Sequence, residues 1–84
     1  MSPQEIEVQV LLFASARECT GTAHLTQALP AGATVGDLMA QLYEAYPGLR
    51  ELRLRFAVNA AYSDLNTDLH DGDEVACIPP VGGG

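Results

Sequence analysis

Residues 69–84 read Leu-His-Asp-Gly-Asp-Glu-Val-Ala-Cys-Ile-Pro-Pro-Val-Gly-Gly-Gly. In order they are a turn, a strand, a stiff lead and a glycine run. Asp71-Gly72-Asp73 is turn chemistry, because glycine adopts positive φ without penalty and aspartate side chains bond nearby backbone. Glu74 to Ile78 reads as the last strand, with Val75 and Cys77 on one side and Ala76 and Ile78 on the other. Pro79 and Pro80 lack an N–H and hold φ fixed, so they end the ladder and continue as an extended segment. Three glycines follow Val81. Without Cβ atoms they can thread a channel too narrow for other residues, and they reach roughly 10 Å beyond Val81. The division expected is a folded domain over residues 1–81 and a flexible glycine tail over 82–84. A glycine-rich end also reads as an inert linker.

The last strand needs a neighbour, and the start of the chain supplies one. Ile6, Val8, Val10 and Leu12 alternate with Glu5, Glu7, Gln9, Leu11 and Phe13, the period-2 pattern of a half-buried strand. The even positions form the core face. The odd positions begin polar and turn apolar at Leu11 and Phe13, leaving an outward apolar patch at one end. If the first and last strands are central neighbours, Phe13 and Ile78 meet on that outer face, beside the exit of the tail.

Between these strands lie the other elements. Ser15 to Gly21 reads as a helical turn ended by glycine, and residues 22–29 as a second strand before the Pro30-Ala31-Gly32 turn. Thr34 is a good N-cap, and Asp37 three residues on completes a variant of the capping box. Val35, Leu38, Met39, Leu42 and Ala45 or Tyr46 repeat at helical spacing, so the main helix spans about 34–46 and stops at Pro47-Gly48. Phe56 to Asn59 reads as a strand, Asn59-Ala60-Ala61 as a tight turn before Tyr62, and Leu65 as an anchor in a polar stretch. The order implies an α+β roll: a mixed sheet of four to five strands with one main helix on one face.

Charge narrows the functions. The chain has 84 residues and a net charge of −7, its four basic side chains all being arginines. So acidic a surface is repelled by phosphate backbones, which argues against nucleic acid. It favours a protein partner with a basic surface. Without lysine the chain has no side-chain amine to accept an isopeptide bond. No run of 18 apolar residues suggests a membrane span, and Met1 to Glu5 does not resemble a secretory leader, so the expected location is cytoplasmic. Cys19 and Cys77 match no metal or redox spacing. His24 and His70 read as solvated, and no metal site is expected.

No side-chain set has catalytic spacing. The group that stands out is the α-carboxylate of Gly84, the least hindered carboxyl a protein can offer. A carboxylate becomes electrophilic when its oxygen is made a leaving group, as adenylation by ATP would do. A sulfur donor attacking the acyl-adenylate would leave a thiocarboxylate; a lysine amine would leave an isopeptide. The residues alone leave both open.

Taken together, Val10-Leu11-Leu12-Phe13-Ala14, Ala16-Arg17-Glu18, Gly21, Leu29-Pro30, Thr34-Val35, Tyr46-Pro47, Ala57-Val58-Asn59 and residues 69–84 resemble the small sulfur-carrying subunits of molybdopterin synthases, which are ubiquitin-like β-grasp proteins. The resemblance spans residues 6–84. It implies that an E1-like activating enzyme, using ATP and Mg²⁺, adenylates Gly84, which becomes a thiocarboxylate; this chain binds no cofactor itself. It implies that Val81, Gly82 and Gly83 enter a pocket of a large catalytic subunit. There the sulfur passes to a cyclic pyranopterin precursor within a heterotetramer. Phe13, Tyr62, Ile78 and Pro80 would form the partner interface, with Arg17 beside it. Position 82 is glycine where the family often has a small polar residue, and Cys77 stands where a bulkier core residue is common. A thiazole-pathway sulfur carrier, a ubiquitin-related modifier and a plain β-grasp interaction domain share parts of this pattern.

Overall fold

The structure is a computed structural model that describes residues 4–80. It is built around the parallel pairing of β1 (Glu5–Leu12) with β5 (Glu74–Ile78), in which Val10 faces Val75 and Leu12 faces Cys77. β1 also pairs antiparallel with β2 (His24–Pro30). β5 pairs antiparallel with β3 (Arg55–Val58), which forms a hairpin with β4 (Ala61–Ser63). The sheet order is β2-β1-β5-β3-β4, so the last strand in sequence is the central strand in space. A parallel pair needs a long crossover, and everything from β2 to β4 supplies it.

Two helices cover one face. α1 (Ala14–Thr20) follows Phe13 directly and ends at Gly21, whose φ of 79° is the left-handed cap. α2 (Val35–Ala45) has the expected reciprocal box: Thr34 Oγ1 accepts from the Asp37 N–H, and the Asp37 carboxylate accepts from the Thr34 N–H. Tyr46 closes it, and Pro47–Glu51 continues as a 3-10 turn. The α2 stripe Val35, Leu38, Met39 and Leu42 is fully buried against Val8, Val10, Leu12, Val75 and Cys77. Tyr46 packs at the edge of this core while Ala45 is exposed.

This is the β-grasp roll expected from the sequence, with five strands. Among the described residues no helix is long and apolar enough to cross a membrane. One expectation is corrected. Leu65 does not anchor its loop, since half of its surface is exposed. The anchor is backbone: Leu65 and Thr67 carbonyls accept from the Gly36 and Val35 N–H groups at 2.9 Å, and Leu69 fills the core instead. Those bonds satisfy the orphan donors of the first turn of α2, so the leucine side chain is left over. Cys19 and Cys77 are both free, the first exposed and the second buried.

Candidate docking face and tail exit

The face opposite the helices carries the candidate site. Register places Leu11, Ala76, Ala57 and Tyr62 in one row across β1, β5, β3 and β4. The next row, toward the chain's end, pairs Ile78 with Arg55. Phe13 lies just beyond β1, and its N–H donates to the Cys77 carbonyl at 3.3 Å, so it sits beside Ile78. Ala57 and Ala76 form a low floor; only 7% of Ala57 is exposed. Phe13 and Tyr62 rise from it, 46% and 68% exposed. Large apolar side chains this open are the ones whose burial on docking is worth about 2 kcal/mol each.

Three of the five expected interface residues, Phe13, Ile78 and Tyr62, therefore share one face. Arg17 is exposed in α1, one turn after Phe13, and its N–H donates to the Phe13 carbonyl at 3.4 Å. Pro79 is buried and Pro80 exposed, so the described chain ends just past the central strand, at the edge of this face. Val81, Gly82, Gly83 and Gly84 lie outside the described residues, as does the boundary proposed between domain and tail.

One residue of the face escaped the sequence reading. The Arg55 guanidinium carbon lies 4.7 Å from the Tyr62 ring centroid, a cation–π distance. Its strand position carries the signal: Phe56 is core, so Arg55 and Ala57 must face outward. At the far end of β5 the chemistry differs. Asp73 accepts from the Asn59 amide at 2.9 Å and from the His70 N–H at 2.8 Å. Burial alone would raise its pKa; those two hydrogen bonds and the His70 charge outweigh it, so the carboxyl is held below its ordinary value. Asp71 Oδ1 accepts from the Glu7 N–H, and the Gly72 N–H donates to the Glu7 carbonyl. The acidic turn is thus structural, pinning β5 to β1. Among the described residues no group of three or more His, Cys, Asp or Glu is placed to hold a metal.

Cys77 Sγ lies 4.0 Å from Met39 Sδ in the core, and burial pushes its thiol up to about 12. It is a core-filling group, not a nucleophile.

A family described as the ThiS family matches residues 10–84. The molybdopterin synthase sulfur carrier subunit of Mycobacterium tuberculosis is 45% identical, covering 94% of this chain and 99% of the relative. Among solved structures, the small archaeal modifier protein 1 of H. volcanii superposes with a TM-score of 0.83 at 27% identity, covering 90% of this chain and 99% of that one. The complex of subunits 1 and 2 of molybdopterin-converting factor from Helicobacter pylori gives a TM-score of 0.64 at 30% identity, covering 94% and 100%.

Proposed function

This chain belongs to the ThiS family, and from that premise we propose that it is the sulfur-carrying small subunit of a molybdopterin synthase. The observation that carries the reading is that the last described residues, Pro79 and Pro80, follow a central strand beside an exposed apolar face, in a protein whose curated relatives bear that name. The division of labour follows from the chemistry. On this reading the outer face of the sheet docks the partner, the reactive group is the Gly84 carboxylate, and the catalytic pockets belong to partners.

An E1-like enzyme transfers AMP from ATP·Mg²⁺ to that carboxylate, releasing pyrophosphate. A sulfur donor then displaces AMP and leaves the thiocarboxylate. A cytoplasmic location would supply the ATP that this step uses. Phe13, Tyr62 and Ile78, with Pro80 and Arg17 at the rim, seat the carrier on the large subunit. Val81, Gly82 and Gly83 deliver the sulfur to a cyclic pyranopterin precursor, and hydrolysis returns Gly84 to the carboxylate. The pocket admits the tail because glycine has no side chain to exclude.

The likeness to an archaeal modifier favours one second reading, in which the same activated Gly84 is joined to a lysine of another protein. Deleting Gly83 and Gly84 separates carrier from inert domain. The truncated chain is expected to support no molybdopterin formation with the large subunit and precursor, at an unchanged melting temperature. Full activity from the truncated chain contradicts the reading.

A further inference from the structure

The docking face does not end at Tyr62. A groove of about 240 Å³ continues past it, walled by Leu54, Phe56, Tyr62 and Leu65, with Arg55 and Asp64 at its rim. Three large apolar side chains of the described residues are exposed, Phe13, Tyr62 and Leu65. Two of them line this groove. Its size suits one large side chain.

The two rim charges are not equivalent. Asp64 Oδ1 accepts from the Asn66 N–H at 2.9 Å and the Thr67 hydroxyl at 3.3 Å, so that oxygen is engaged by its own loop. Arg55 lies over Tyr62 and has no carboxylate within 4.0 Å among the described residues. A cation so held is pre-ordered by the ring, and its fork of donors fits a carboxylate. In a chain of net charge −7, it is a local exception to the overall field.

We propose that this groove is a second docking element, taking an aliphatic or aromatic side chain and an adjacent carboxylate from the large subunit, with Arg55 pairing the carboxylate. The proposal rests on the molybdopterin synthase reading and adds a specificity contact to it. Arg55 faces Ile78 across the ladder, two residues before Pro80, so the acid it would read lies close to the end of the described chain. A partner residue there fixes the carrier's rotation about the tail, which the smooth Leu11–Ala76–Ala57 floor cannot do.

The test is the affinity of the full chain for the large subunit of the same organism, by calorimetry at two salt concentrations. Arg55→Leu is expected to weaken binding about tenfold and to flatten the salt dependence. Arg55→Glu is expected to weaken it about a hundredfold, and Leu65→Ser about tenfold. Thermal melts control for folding. Wild-type affinity in Arg55→Leu and Leu65→Ser overturns the groove proposal and leaves the carrier reading intact. A self-associating wild type that Arg55→Glu makes monomeric overturns it too, because a second copy then fills the groove. A wild-type chain that does not bind the large subunit at all overturns the carrier reading and the groove proposal together.

Discussion

Asp73 is one of the residues that hold the base of the central strand. Its carboxylate bonds Asn59 and the His70 backbone, and the His70 ring lies 3.8 Å away. Its folded pKa is lowered from 3.8. Such a group contributes stability that is complete above the unfolded value and is lost as pH falls through the folded one. Asp73→Ala is therefore expected to cost about 2 kcal/mol at neutral pH, the gap from wild type shrinking below pH 4. Urea unfolding at two pH values checks this; an equal gap at both contradicts it. The cysteines give a second contrast. Cys77 is buried, its thiol raised to about 12, while Cys19 is exposed. Native alkylation with iodoacetamide is expected to label Cys19 alone, and a second adduct on the folded protein would count against the packing described.

At the scale of elements, the β3–β4 hairpin is the weak point. Its two turn residues, Asn59 and Ala60, have φ of 50° and 71°, the type I′ geometry that prefers Asn-Gly. Left-handed backbone costs alanine about 1–2 kcal/mol. Glycine would return about 0.4–1 kcal/mol of that as extra unfolded-state entropy. Ala60→Gly is thus expected to stabilise by roughly 0.5–1 kcal/mol, by the difference of those terms, seen as a melting temperature a few degrees higher. A lower one would contradict the assignment of strain. This hairpin also marks the limit of what the sequence discloses. α2 was legible because its cap, stripe and Pro-Gly stop agree, and β1 because its parity is unbroken. β4 has only three residues, too few for a period. Leu65 looked like an anchor because it is the lone leucine in a polar stretch. Backbone bonds to α2 hold that loop instead, and hydropathy does not encode them. The outer face is legible at Phe13 and Ile78 by parity, whereas Arg55 enters it only through the structure.

The whole molecule is polarised along β5. One end is the acidic turn stitched to β1; the other is the apolar face around Phe13 and Ile78, where the described chain ends. The buried core is continuous from Val8 to Cys77 within the described residues, and on the proposed reading the last two residues serve as reagent and not as scaffold. That separation of scaffold from reagent is the central claim. Its most direct test is the intact mass of the protein, with mapping of its last peptide, after incubation with ATP, Mg²⁺, the activating enzyme and a sulfur donor. The expected result is a gain equal to one sulfur replacing one oxygen, located on Gly84. An unchanged Gly84 under those conditions would contradict the account.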